Sequence, residues 1–341
     1  MRWWTTSLDK PIRFGILGLG VGYGKAKECV KSRGAALAAV CDLQEDKARK
    51  VAEELKCRWY TDYDAMLDSG DIDCVGVFTP SGMHVDHALK AIRRGLHVFV
   101  TKPMDIDVEK CRLAVREAEG ANVVLAVDFE YRYKDINLKI YRAIQNGLIG
   151  RVFLVDVLMK WFRDEAYYKG GYMPGWRSSR RYEGGSAANQ GVHFIDLVQW
   201  WMGGVELVQG LSGTFTHSIE TEDCSVAVLK FKNGAFGTLT TTTSSIPSLG
   251  TRIEINSDRG SMIWKDGKID FFHLKDGDIS VIDSIVLPSD RPANIFEDMA
   301  DAIRRGKKPM VDGREGLKSV MIFNAIYESS KTGKAVKIED A

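Results

Sequence analysis

Four glycines, Gly18, Gly20, Gly22 and Gly24, close the apolar run IRFGIL and lead into a segment of helical period that starts near Lys25. In a strand-to-helix turn, glycine lets the backbone bend tightly and come close to a pyrophosphate, which then rests on the N–H groups of the helix start. The spacing departs from a strict G-x-G-x-x-G, whose third glycine would fall on Tyr23; here Gly18-x-Gly20 is followed by Val21 and a displaced Gly22 or Gly24. Asp42 supplies the second half of the pattern. It closes the next apolar run 18 residues after Gly24, where a carboxylate accepts hydrogen bonds from the adenosine ribose hydroxyls and repels a 2′-phosphate. Leu43, Gln44 and Glu45 follow it, so no cation stands next to it for such a phosphate, and NAD is expected in preference to NADP. The competing role for Asp42 is a cap on the following helix.

Two titratable residues could move a proton. Lys102 ends the run HVFVTKP, and an amine at the C-terminal end of a strand, fixed by the following proline, is placed to take a proton from an alcohol. Burial and the like charge of an oxidised nicotinamide ring would both lower its pKa towards a neutral amine. His193 opens the apolar segment HFIDLVQWWM behind Gly191; taken alone, such a histidine reads as a core or capping residue. His84 and His87 form an H-x-x-H on one helix face, but no Asp, Glu or Cys completes a ligand set, so no metal is expected. The stretch WFRDEAYYKGGYMPGWRSSRRYEGG carries aromatic faces and arginine forks that suit a ring bearing hydroxyls or a carboxylate, although for most of these side chains a solvated loop is the expectation.

These residues need elements to hold them. From Ile12 to Asp128, the runs IRFGILG, AALAAVCD, CVGVFTP, HVFVTKP and NVVLAVD alternate with segments of helical period such as QEDKARKVAEEL, the pattern of a doubly wound parallel sheet covered by helices. Beyond NLKIYRAIQNGLIG the texture changes to long alternating strands, with Asn233-Gly234 and Asp266-Gly267 as turns, and two helical segments close the chain, Ala293 to Arg305 and Gly313 to Ser330. The expected organisation is a dinucleotide-binding α/β domain over residues 1–128 and an α+β domain with an open, mostly antiparallel sheet over residues 129–341.

Composition narrows the partners. The 341 residues hold 47 Lys plus Arg against 46 Asp plus Glu, so no overall field favours nucleic acid or an anionic membrane. Six cysteines are scattered with no C-x-x-C pair, which fits a reducing compartment. The N-terminal MRWWTTSLDKP lacks a signal-peptide core and no apolar run reaches the length of a membrane span, so the expected location is the cytoplasm.

At Thr79, Pro80, His84, Gly95, His97, Val98, Lys102 and Pro103, the sequence resembles the glucose-fructose oxidoreductase, inositol dehydrogenase and rhizopine-catabolism (Gfo/Idh/MocA) family, whose members carry T-P-N-x-x-H, G-x-H-V and E-K-P. Ser81 and Thr101 stand in place of the asparagine and the glutamate. GGSAANQGVHFID is similar to the family's G-G-x-x-x-[DN]-x-G-x-H-x-x-D through Gly184, Gly185, Asn189, Gly191, His193 and Asp196. DFEYRY stands where members have G-F-N-x-R-[FY], so Arg132 matches while Asp128 and Glu130 depart, and Trp176-Arg177 matches a W-R ahead of the glycines.

The resemblance implies a Rossmann domain and an open-sheet domain serving a nicotinamide cofactor and a sugar or polyol substrate. It implies cofactor contacts from Gly18, Gly20, Val21, Gly22, Asp42, Thr79, Pro80, Ser81, His84, Thr101, Lys102 and Pro103. Arg132, Trp176, Arg177 and Asn189 would face the substrate, with Lys102 as the proton acceptor and His193 as a hydrogen-bonding partner at the same hydroxyl. Asn189 takes the place of an orienting acid and supplies no charge to raise the imidazole pKa. His87 is expected on the helix surface. Family members commonly associate through the second-domain sheet, so a homodimer or homotetramer is expected. The first alternative is a glycoside hydrolase of the same fold that uses NAD transiently; the second is a non-catalytic cofactor sensor.

Overall fold

The computed structural model describes residues 10–340. Most of the N-terminal stretch read above for a signal-peptide core, residues 1–9, lies outside the described residues. No helix among the described residues is long and apolar enough to cross a membrane.

The described residues divide into two compact units, one of residues 10–105, 109–130 and 292–316, the other of 106–108, 131–291 and 317–340. A single cut at Asp128 therefore misses a return, since Ile295–Arg305 packs with the first unit. That helix is capped by Asn294, whose side chain accepts from the N–H groups of Phe296 and Glu297.

In the first unit, six parallel strands, β1 (Ile12–Leu17), β2 (Ala35–Cys41), β3 (Arg58–Tyr60), β4 (Cys74–Val77), β5 (His97–Thr101) and β6 (Leu125–Asp128), lie in the order β3-β2-β1-β4-β5-β6. β4 and β6 are buried throughout, as continuous apolar runs require when both faces are covered. β3 and the helix Tyr63–Asp68 beside it were not expected, because three residues with two exposed side chains carry no apolar run. The order reverses between β1 and β4, so the turns after these two strands flank the crevice where such sheets bind ligands. The helix after β1 begins at Gly22, three residues earlier than the periodicity indicated, and Gly22 and Gly24 lie in its first turn.

The second unit is built on eight strands, β7 (Val152–Lys160), β8 (Val205–Gly213), β9 (Cys224–Phe231), β10 (Phe236–Thr242), β11 (Gly250–Ser257), β12 (Gly260–Lys265), β13 (Lys268–Leu274) and β14 (Val336–Lys337), in the order β13-β12-β11-β7-β10-β9-β8-β14. All neighbours are antiparallel except β10 with β7. Asp266 and Gly267 both have positive φ, 45° and 93°, the backbone of a two-residue hairpin turn joining β12 to β13. Strict alternation buries Ala227, Leu229 and Phe231 of β9 on one face and leaves Val226 and Val228 exposed on the other. Asn137, fully buried, ties helices to the sheet: its carbonyl accepts from Trp201 Nε1 at 3.1 Å, and its Oδ1 from Trp264 Nε1 at 2.9 Å.

Candidate active site

The candidate site of the first unit is mostly backbone. Gly18 has φ +85°, and a Cβ there would lie 2.7 Å from the carbonyl oxygen of Phe78, so a side chain is excluded by conformation and by space. A Cβ on Gly22 would press on Ile16 and Phe78 at 3.1–3.2 Å, making this the glycine of close helix–strand packing. Nothing lies within 4 Å of a Cβ on Gly20. The protein itself has no need of that space, which is the condition for close approach by a pyrophosphate. Exposed Val21 continues the loop into the helix start. The residues present thus fit a dinucleotide.

Asp42 braces this loop: its Oδ2 accepts from Leu19 N at 2.8 Å and its Oδ1 from Gln44 N at 3.0 Å. The cap of the next helix is Gln44, with Asp42 outside it. Lys47 Nζ lies 3.2 Å from Asp42 Oδ2. This cation lies beyond the three residues that follow Asp42, and the first turn of the helix Glu45–Leu55 brings it back to the carboxylate. Lys25 Nζ reaches Asp128 Oδ2 at 2.8 Å and Glu28 Oε2 at 2.9 Å. Burial opposes the ammonium, yet the Asp128 and Glu28 carboxylates together outweigh it and raise the Lys25 pKa. The departure at Asp128 is therefore matched by a cation on the glycine helix.

Lys102 follows the last residue of β5, as the run HVFVTKP indicated. The turn that carries it is held by His84, whose Nδ1 lies 2.8 Å from the Pro103 carbonyl and Nε2 2.7 Å from the Thr79 carbonyl. Burial pushes the imidazole pKa down to about 4, against the pull of the two carbonyls. At 1% exposure His84 is a brace between the Thr79-Pro80-Ser81 turn and the Lys102-Pro103 turn, which corrects its assignment to the cofactor surface. Ser81 is buried and opens the short turn Ser81–Met83 before the helix His84–Ile92; Thr101 is half-buried. His87 is also corrected. It is half-buried with Nδ1 2.8 Å from Met83 O and 3.2 Å from Thr79 Oγ1, and its ring packs edge-on against Tyr63. Among the described residues, no group of three or more metal-ligating side chains converges.

In the second unit, Asn189 sits on a widened π-helical turn, Ser186–Gly191, and His193 in the first turn of the helix Val192–Trp201 that follows it. The start of this turn is capped by Glu222. The Glu222 carbonyl accepts from Ser186 N at 3.0 Å, while its carboxylate accepts from Ala187 N at 2.7 Å, Ser186 Oγ at 2.6 Å and the Tyr327 hydroxyl at 3.0 Å. The Asn189 amide donates to Glu183 Oε2 at 2.9 Å and to the Tyr167 hydroxyl at 3.3 Å. The His193 ring lies edge-on to Tyr131, centroids 5.3 Å apart. Arg177 stacks over Trp176 at 4.5 Å and Tyr167 at 4.8 Å.

Arg132 does not join this group. Its Nε and Nη2 bind Asp196 Oδ2 and Oδ1 at 2.8 and 2.6 Å, and both residues are at most 1% exposed, so the guanidinium is committed to a buried fork and is out of a substrate's reach. Glu183, Glu222, Tyr167 and Lys47 were missed as supporting residues. The only sequence signal for Glu183 was its place just before Gly184-Gly185, and an acid in a loop is ordinarily solvated.

Comparison with known proteins places both units. The model described as "Oxidoreductase family, NAD-binding Rossmann fold" (GFO_IDH_MocA) matches residues 12–129, and its partner, "Oxidoreductase family, C-terminal alpha/beta domain", matches residues 142–338. The myo-inositol 2-dehydrogenase of Thermotoga maritima is 23% identical, covering 96% of this chain and 99% of its own. The scyllo-inositol 2-dehydrogenase (NAD(+)) of Bacillus subtilis is 25% identical over 97% and 98% of the two chains. Among solved structures, the WlbA dehydrogenase from Bordetella pertussis, in complex with NADH and UDP-GlcNAcA, is 28% identical with a TM-score of 0.87 over 97% of this chain and 99% of that one.

Proposed function

Because the chain belongs to the Gfo/Idh/MocA oxidoreductase family, we propose that it is an NAD-dependent dehydrogenase acting on a secondary alcohol of a sugar or polyol, an inositol-like ring included. The observation that carries the reading is Lys102 at the end of β5, in a turn fixed through His84 and Pro103. Bound NAD supplies the hydride acceptor. The remaining work falls to side chains of this protein. Gly18, Gly20, Val21 and Gly22 receive the pyrophosphate and Asp42 the adenosine ribose. Thr79, Pro80, Ser81, Thr101 and Pro103 shape the nicotinamide end. Lys102 Nζ takes the hydroxyl proton as the hydride leaves the same carbon. In the second unit, His193 serves the substrate as a hydrogen-bond donor, Asn189 orients the group around it, and Trp176 and Arg177 offer an aromatic face and a guanidinium to the substrate ring.

The named relatives weigh against the glycoside-hydrolase and sensor readings. The test is a panel of inositols, aldoses, sugar acids and glycosides, followed by NADH absorbance. NADH accumulation with one class is the expected result, whereas aglycone release without NADH, or silence with tight NAD binding, would overturn the dehydrogenase in favour of the hydrolase or the sensor.

We further propose that the first unit binds NAD and that the second carries substrate contacts and self-association, in the cytoplasm. Leu211, Val226, Val228 and Phe236 lie on one face of the second sheet at 42–65% exposure, an apolar surface of the kind that a second copy covers. A dimer or tetramer is expected by light scattering, and a monomeric mass at micromolar concentration would exclude it.

A further inference from the structure

Asn189 is neutral, but the group that holds it is an acid. Glu183 is 2% exposed, and its Oε2 lies 2.9 Å from Asn189 Nδ2, while its Oε1 accepts from Gly184 N at 3.2 Å. Tyr167 OH takes the same amide at 3.3 Å and Gln190 Nε2 at 3.0 Å. A carboxamide is planar, with its nitrogen and oxygen on opposite sides of Cγ. Turning it over would set Oδ1 against the Glu183 carboxylate, two acceptors with no proton between them, so a buried anion at this position selects one of the two orientations. We propose that Glu183 is a positioning residue that acts through Asn189, locking the carboxamide so that its carbonyl oxygen points away from the acid and serves the reaction as a fixed acceptor. This rests on the reading of the Asn189–His193 turn as part of the reacting centre.

The arrangement divides between two residues what an aspartate at position 189 would do alone: Glu183 holds the charge and Asn189 makes the contact. The surrounding titratable groups are Tyr167, Tyr327 and Glu222, with Arg177 and Arg163 over the Tyr167 ring. Glu183 disfavours ionisation of both tyrosines, adding to their burial. Asn189→Asp would place a second carboxylate at hydrogen-bond distance from Glu183, and such a pair must share a proton.

The test is a charge relocation in the full chain, read by melting temperature against pH, NADH affinity, and kcat and KM on the substrate found by the panel. Asn189→Asp should lower kcat by about a hundredfold at pH 8 and recover part of it at pH 6, with a melting temperature that falls more steeply between pH 6 and 8 than that of the wild type. Glu183→Gln, which leaves the amide with two competing orientations, should lower kcat roughly tenfold with little change in KM. The double variant E183Q/N189D restores one acid facing one amide and should regain most of the activity and the wild-type dependence of melting temperature on pH. The proposal is overturned if N189D keeps wild-type kcat from pH 6 to 8, or if the double variant is no better than N189D. It is equally overturned if folded Glu183→Gln has wild-type kcat, which decides the matter should Asn189→Asp not fold. The melting pattern needs no turnover, so its appearance in a protein inactive on the whole panel would support the Glu183–Asn189 coupling and reject the dehydrogenase reading.

Discussion

The cofactor loop of the first unit and the π-helical turn of the second are held in opposite ways. Around Gly18–Gly22 the structure reserves space: one glycine adopts a conformation other residues avoid, one packs helix on strand, and one has no neighbour within 4 Å. Around Ser186–Gly191 the structure fills space with two buried acids, Glu222 on the backbone at the start of the turn and Glu183 on the amide near its end. A site that must admit a large anion is made by leaving side chains out. A site that must aim two side chains is made by tying down the backbone beneath them, and the difference sets what each mutation should do.

The largest effect expected is on Lys102. If its amine accepts the hydroxyl proton, Lys102→Ala should lower turnover by about 10² to 10⁴ while cofactor affinity changes much less, because the glycine loop is untouched. His193→Ala should cost less, as the loss of a positioning donor. Steady-state kinetics beside NADH titration separate the two. Near-normal turnover in a Lys102→Ala protein that binds NAD would reject the mechanism, and a more damaging His193→Ala would exchange the two roles.

The same contrast decides what could be read from the sequence. Backbone features leave a local signature, so the glycine loop, Asp42, the T-K-P turn and the strands of the first sheet stood out as runs and spacings. β3 did not, being three residues long and half exposed, and neither did β8 and β13, whose mixed and partly exposed faces give no clean alternation. Arg132 matched a pattern by position, but its partner Asp196 is 64 residues away, and only the fold shows that the fork is consumed. Glu222 and Glu183 are of the same kind: acids distant from the turn or hidden in a loop, whose role comes from burial, and burial is a tertiary property.

Glu222 provides the next test. Burial pushes its carboxyl up to about 7, against the hydrogen bonds from Ala187 N, Ser186 Oγ and Tyr327 OH that favour the anion. A carboxyl whose folded pKa lies above its unfolded one stabilises the native state at low pH and loses that contribution as pH rises from the unfolded value near 4.5 through about 7. The full swing is roughly 3 kcal/mol at most, enough to move the melting temperature by several degrees. Melting curves from pH 4.5 to 8 should fall more steeply for the wild type than for Glu222→Gln, which cannot ionise. Parallel curves would show that the cap on the second-unit turn carries no titrating charge.

The smallest effect is expected where the site is mostly backbone. Asp42→Ala removes the acceptor proposed for the ribose and also the brace on Leu19 N, so NAD should bind more weakly. For NADP the same loss is offset twice, by removal of a charge facing the 2′-phosphate and by release of Lys47, now held 3.2 Å from that carboxylate. The NAD-to-NADP preference should therefore narrow by roughly tenfold, corresponding to ~1.4 kcal/mol, in fluorescence titrations of the two reduced cofactors. Lys47 separates the two offsets. If its ammonium turns to the phosphate, the double variant D42A/K47A should lose part of the NADP gain while leaving the NAD affinity of D42A unchanged, and the slope of NADP affinity against salt should become shallower. Tighter NADP than NAD binding by the wild type would reverse the assignment of Asp42 and make Lys47 the residue that reads the cofactor.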